Sequence, residues 1–147
     1  MPVIDIHHVA IKTLDLAATN RFYTEILGMT EVARPPFDFP GSWIGMGSTM
    51  IHVFAGYAAY DADGAFHPGS AAVDHLSIMA RDFDGFKRTF AANGLEWREL
   101  DQPTAKLWQL FVHDPNDILI ELNFPIDKEP AGAAGPDADN PYLPGKF

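Results

Sequence analysis

Apolar and polar residues alternate along the chain in short runs, and twice that alternation gives way to helical spacing. The first alternating run covers residues 6–11 and predicts a strand. Residues 16–27 then place Phe22, Ile26 and Leu27 on one helical face, and the pattern stops at Gly28. Three more strand-like runs follow, at residues 30–34, 42–46 and 49–55. The whole sequence of patterns then returns. A strand-like run spans residues 73–80, a helical stretch with Phe83, Phe86 and Phe90 spans 83–93 and stops at Gly94, and strand-like runs span 96–100, 107–113 and 118–124. Asp15 and Asp82 stand where helix N-caps are needed, and the two glycines suit the C-caps. Pro35-Pro36, Pro40-Gly41, Gly47-Ser48 and Asp114-Pro115-Asn116-Asp117 supply the turns.

Each half therefore reads β-α-β-β-β, repeated at an offset of about 67 residues. One four-stranded sheet under one helix leaves its other face bare, so two such units argue for duplication. The expected fold is α+β, with two tandem βαβββ modules forming a cupped eight-stranded sheet. Residues 1–124 make one domain: module one at 1–56, a linker at 57–72 rich in Ala, Asp and Gly, and module two at 73–124. Residues 125–147 turn to Pro, Gly, Ala and Asp and read as an irregular, solvated C-terminal tail. Tyr142, Leu143 and Phe147 could instead anchor that tail as an arm over a partner subunit.

Composition narrows the function. A length of 147 residues suits one domain, and 47% hydrophobic with 20% charged residues is ordinary for a soluble globular chain. No cysteine is present, which excludes disulfides, thiolate metal sites and cysteine nucleophiles. Ten basic residues against twenty acidic ones give a net charge of −10, which disfavours nucleic acid as a partner. No apolar run approaches the roughly 18 residues of a membrane span, and the N-terminus does not read as a secretory signal. The expectation is a cytoplasmic protein with a small-molecule substrate.

The candidate chemistry lies on the strands. A side-chain period of two puts Ile6, His8 and Ala10 on one face, with Val9 and Ile11 on the other. In the repeat, Val73, His75, Ser77 and Met79 share a row opposite Leu76 and Ile78. The last strand groups Leu119, Glu121 and Asn123, and its first-half counterpart groups Met50, His52 and Phe54. With the apolar rows turned to the helices, His8, His52, His75 and Glu121 all face away from them. Glu121 interrupts an apolar strand, and an unpaired carboxylate there would cost several kcal/mol. A metal shared with His8 and His75 removes that cost. Two imidazoles and a carboxylate leave coordination positions open, as a catalytic site needs.

These modules, the strand-one histidines and the closing Asp114-Pro115-Asn116-Asp117-Ile118-Leu119-Ile120-Glu121-Leu122 resemble the vicinal oxygen chelate superfamily. It includes glyoxalase I, methylmalonyl-CoA epimerase, fosfomycin-resistance transferases, extradiol dioxygenases and bleomycin-binding proteins. The resemblance covers residues 4–124 and is nearest to the glyoxalase-I-like branch. It implies metal ligation by His8, His75 and Glu121, with His52 where glyoxalase I has a ligand Glu and the epimerase a ligand Gln. Asp117 departs from the usual turn glycine. The family also implies a homodimer.

The shared step of that family is chelation of vicinal oxygens by one divalent metal ion. Zn, Ni, Mn, Co and Fe all accept such ligands. The favoured reading is a metal-dependent lyase or isomerase, with Glu121 and His52 as the catalytic pair and no organic cofactor. An Fe(II) extradiol-type dioxygenase is the alternative. That branch carries a tyrosine ten residues before its ligand Glu, where this chain has Phe111. A non-catalytic bleomycin-type binding protein is a third reading, disfavoured by the intact ligand set. Phe37, Phe39, Trp43, Phe54, Tyr57 and Trp108 are candidates for an apolar pocket wall. Arg34, Arg21 and Arg98 are candidates for an anionic group of the substrate. His7, His67 and His113 read as non-functional, His7 because it falls on the strand face opposite His8.

Overall fold

The computed structural model describes residues 2–147. The chain divides into two compact units, one running up to Gly69 and one from Ser70 onward. The boundary falls inside the Ala-, Asp- and Gly-rich stretch.

In the first unit, strand β1 (His8–Lys12) leads to helix α1 (Leu16–Arg21), and strands β2 (Thr30–Val32), β3 (Gly41–Met46) and β4 (Thr49–Phe54) follow. The sheet order is β1-β4-β3-β2, with β1 parallel to β4 and the other pairs antiparallel. In the second unit the same order returns as β5 (Leu76–Met79), α2 (Phe83–Ala92), β6 (Trp97–Gln102), β7 (Leu107–His113) and β8 (Leu119–Pro125). Its sheet runs β5-β8-β7-β6, again with one parallel pair. The structure thus has the α+β class and the two βαβββ modules that the repeat implies.

The rows fall as the period of two requires. Ile11, Ile44, Ile51 and Val53 are buried in the first unit, as are Phe22 and Tyr23 of the helical segment. In the second unit Ile78, Leu110, Val112, Ile120, Leu122 and Phe124 are buried with Phe83 and Phe90 of α2. Full burial of one such side chain contributes about 1.5–3 kcal/mol. Asp15 and Asp82 cap the two helices by accepting from the Ala18 and Gly85 amides.

The first helical segment is not one regular helix. After Arg21 it widens into a π turn over Phe22–Ile26, closed by the Leu27 amide on the Phe22 carbonyl. Phe22 and Tyr23 are consecutive and both buried, with their rings edge to face at 5.1 Å. A regular α-turn would spread two neighbours by about 100°; the wider turn brings both toward the sheet.

The tail stays largely exposed, but it is docked at single residues and does not hang free. Glu129 accepts from the Asp82 and Phe83 amides at the start of α2. Ala134 donates its amide to Asp84, and Gly135 sits against the Trp108 ring. Its φ is +72°, and a Cβ there would come within 2.9 Å of that ring. Pro141 then bridges to Glu99 on the free edge of β6. Of the expected anchors, Tyr142 and Phe147 pack with Phe111 and Leu119 of the tail's own module, and Leu143 stays exposed. Trp108, expected on a pocket wall, lies on the helix side, 5.5 Å from Phe83. Register explains this, because Trp108 shares a row with Leu110 and Val112.

Candidate metal centre

Each sheet brings two of the sequence-derived site residues together. In the first unit β1 pairs with β4 so that Ala10 stands opposite His52, with His8 one step along the same row. The His8 and His52 rings stack at 3.8 Å with only 13° between their planes. Trp43, the cross-strand partner of His52 on β3, covers the other side at 4.2 Å and 4°. His52 is thereby 6% exposed, and its Nε2 is buried without a hydrogen-bond partner. Burial, then the neighbouring His8, His7 and Arg34 charges, hold the His52 pKa below the usual imidazole value, so the ring is kept neutral.

Stacking has a consequence for ligation. A histidine offers its lone pair in the plane of its ring. Two nearly parallel rings aim their lone pairs in parallel planes, so in this arrangement they do not converge on one ion. His8 is also not isolated from its neighbour. Its Nδ1 lies 2.8 Å from the Nδ1 of His7. His7 precedes the first paired residue of β1, so strand alternation does not hold it on the far face. The expected placement of His7 on the face opposite His8 is corrected accordingly.

The second unit carries the tighter pair. His75 lies just before β5, and Ser77 of that strand stands opposite Glu121. His75 Nε2 is 3.2 Å from Glu121 Oε2, and its Nδ1 is 2.7 Å from the Asp74 carboxylate. Glu121 Oε1 accepts from the Ser77 hydroxyl at 2.7 Å and from the Asn123 amide at 2.8 Å. Asn123 is itself fixed by accepting from Gln109. Glu121 is therefore satisfied by hydrogen bonds on one oxygen, and the carboxylate is not left unpaired as its apolar strand suggested.

This donor set fits a divalent metal. With its Nδ1 on the Asp74 carboxylate, His75 turns its Nε2 toward Glu121 Oε2. Two acceptors that close need a shared cation, either a proton or a metal. Two ligands at about 2.0–2.2 Å from one tetrahedral zinc lie roughly 3.3–3.6 Å apart, near the 3.2 Å between these two atoms. The outer atoms of both groups are already oriented, the second-shell pattern of metal-binding histidines and carboxylates. Among the described residues no three His, Asp or Glu side chains gather at one point, and each unit contributes its own pair.

The other candidates divide. Phe37, Phe39, Phe54 and Tyr57 form one aromatic cluster, with Phe39 at 5.5, 5.1 and 6.0 Å from the other three, and Trp43 joins at 6.3 Å from Phe37. Arg34 lies over Phe37 and Phe39 and donates to the Phe39 carbonyl. Arg21 pairs with Glu25, and Arg98 lies over Phe147. His67 pairs with Asp63 and His113 packs on Phe147. Sequence reasoning missed Asp74, Gln109 and the supporting roles of Ser77 and Asn123. The signal was available for the last two, since each stands two residues from a candidate ligand in the same row.

Comparison with known proteins gives a consistent picture. The sequence profile of the Glyoxalase/Bleomycin resistance protein/Dioxygenase superfamily matches residues 5–122. A relative in Escherichia coli (strain K12), the uncharacterized protein YaeR, is 29% identical over 126 residues, covering 80% of this chain and 93% of the relative. Lactoylglutathione lyase from Agrobacterium tumefaciens superposes with a TM-score of 0.63 at 22% identity, covering 84% of this chain and 96% of that one. The fosfomycin resistance protein FosX from Listeria monocytogenes superposes with a TM-score of 0.65 at 15% identity, covering 84% and 94%. At these identities the structural likeness is one of fold.

Proposed function

The chain belongs to the Glyoxalase/Bleomycin resistance protein/Dioxygenase superfamily, and from that premise we propose a metal-dependent lyase or isomerase of the glyoxalase I-like kind. Its substrate is a small molecule with adjacent oxygens. The observation that carries this reading is the His75–Glu121 pair, 3.2 Å apart, with Asp74 behind one member and Ser77 and Asn123 behind the other. Such bracing fixes ligands before a metal arrives.

The proposed ligands are His8, His75 and Glu121. Bound there, a divalent ion would supply Lewis-acid stabilisation of negative charge on a substrate oxygen. The protein's own groups do the rest. Asp74 keeps His75 in the tautomer with a free Nε2. Ser77 and Asn123 hold Glu121 in one orientation. Glu121 and His52 are the proposed proton carriers. His52 is assigned to proton transfer rather than to the metal because its ring lies parallel to that of His8. Its Nε2 is the atom that would take and return the proton. The aromatic cluster around Phe39 would exclude water from an apolar part of the substrate. We further propose that the protein acts as a homodimer; the exposed Val3, Ile4 and Ile6 support an apolar contact.

The test is anaerobic reconstitution with each candidate metal, followed by two assays. One follows proton exchange or isomerisation of hemithioacetals and 2-oxo thioesters, and the other oxygen uptake with catechols. Proton exchange that needs the metal is the expected result. Oxygen uptake with Fe(II) and no exchange on any carbon acid would replace this reading with a dioxygenase. Metal content unchanged in His8→Ala, His75→Ala and Glu121→Gln would remove it altogether.

A further inference from the structure

The last stretch of chain ends beside Glu121, although the repeat does not require it there. It leaves β8, caps the start of α2 through Glu129, and passes Trp108 on the helix side. It then crosses the free edge of β6, where the Glu99 amide donates to Asn140 and the Tyr142 amide donates to Glu99. Beyond that edge Tyr142 lies flat on Phe111, with ring centres 3.6 Å apart and 7° between the planes. Phe111 stands opposite Glu121 in the register of β7 and β8, and meets the His75 ring edge to face at 6.4 Å. Tyr142 is therefore on the face that carries the ligand pair.

Its hydroxyl is unassigned. Tyr142 is 8% exposed, and a tyrosine so buried normally finds a partner for its O–H. Among the described residues this hydroxyl has no hydrogen-bond partner. The side chain instead lines an open cavity of about 190 Å³ together with Asp74, His113, Leu119 and Phe147. A phenol in such a place has a donor to give and nothing in the protein to take it.

We propose that Tyr142 is a substrate-positioning residue, whose phenol donates a hydrogen bond to an oxygen of the ligand held at His75 and Glu121. The inference rests on the metal-dependent reading above and adds to it a residue from outside the repeat. Phe111 sets the plane of the ring, and the bridge at Pro141 sets its reach. The donor role agrees with the charge around it: burial, then the Asp74 and Glu121 carboxylates, push the Tyr142 phenol above its ordinary pKa, so it keeps its proton. A ligand with two adjacent oxygens would then be held at the metal and oriented by the phenol.

The test uses the full chain loaded with cobalt(II), and acetohydroxamate as a probe with two adjacent oxygens. Cobalt content and probe affinity are read from the metal's visible spectrum in the native chain and in Tyr142→Phe, which retains the ring stack. The expected result is equal cobalt uptake, an unchanged melting temperature and probe binding weakened about 3- to 10-fold, the worth of one hydrogen bond. Equal probe affinity in the two proteins overturns the inference and leaves the metal reading standing. Loss of cobalt in Tyr142→Phe also overturns it, since the phenol would then serve the metal and not the ligand. A native chain that takes up no cobalt, or takes it and leaves the probe unbound, overturns the functional reading and the inference together.

Discussion

The two modules place different chemistry on one scaffold. Ala10 opposite His52 in the first sheet corresponds to Ser77 opposite Glu121 in the second. Trp43 and Phe111 are the matching neighbours on the next strand. Two residues further on, Phe54 faces Gly41 while Asn123 faces Gln109. The first module thus surrounds its site residue with rings and leaves its nitrogen without a partner. The second surrounds its site residue with hydrogen-bond donors and leaves one oxygen toward His75. The ring stack fixes the position of His52 and, by burying it, helps to hold its pKa below the usual imidazole value. Two hydrogen-bond donors instead fix the orientation of the Glu121 carboxylate. Under the proposed function, ligation rests chiefly on the second module and proton handling chiefly on the first.

The sharpest way to break that division is to remove its second half. His75→Ala and Glu121→Gln should each abolish stoichiometric metal binding, read by elemental analysis after dialysis, and reduce turnover to background. Next in size is His52→Ala, which should keep its metal and lose turnover by about 10²–10⁴-fold, as loss of an acid–base group does. Metal lost with turnover would show that His52 ligates after all. Asn123→Ala should be milder, lowering metal affinity about 10- to 100-fold through Glu121, the range for groups behind a ligand. Ala10→Ser, at the place in the first sheet that Ser77 holds in the second, should leave metal affinity where it was. A competition titration against a coloured chelator distinguishes these two.

Smaller effects concern the tail. Gly135→Val puts a branched side chain onto the Trp108 ring at a positive φ, and should cost about 1–3 kcal/mol by urea unfolding. The least of the effects is in the pH dependence of stability. The Tyr142 phenol is neutral in both states below about pH 10, the ordinary value. Its folded pKa is raised, so as pH climbs past that value the unfolded chain loses the proton first and stability falls. Unfolding titrations of the native chain and of Tyr142→Phe between neutral and strongly alkaline pH should diverge only on the alkaline side.

Much of this was legible in the sequence because a strand's period of two admits few alternatives. His8, His52 and Glu121 could be put on the faces away from the helices from parity alone, and the register agrees, while His75 lies one residue outside the paired part of β5. Parity cannot report what a neighbour does. That Ser77 and Asn123 hold Glu121 depends on side-chain torsions and on strand pairing across 44 residues. Nor does alternation extend beyond a strand's paired residues, which is why His7 was misplaced. The π turn after Arg21 was hidden because Phe22, Ile26 and Leu27 satisfy an α-helical spacing equally well. The tail was misread because its composition is that of a solvated segment, while its contacts are made by single residues such as Glu129, Gly135 and Tyr142 that no period links.

The crossing of the tail over β6 also bears on how the protein behaves in a crowded solution. An uncovered outer strand offers its unused amides and carbonyls to any other chain, and is a common start of aggregation. Here the amide and carbonyl of Glu99 are both taken by the tail, through Asn140 and Tyr142. The equivalent outer strand of the first sheet, β2, is only three residues long and is followed closely by Pro35-Pro36. One module limits the growth of its sheet by brevity and proline, and the other by folding its own C-terminal segment across the opening. A chain cut after Pro125 would lose that cover, so it should precipitate on concentration even where the sheet itself still forms.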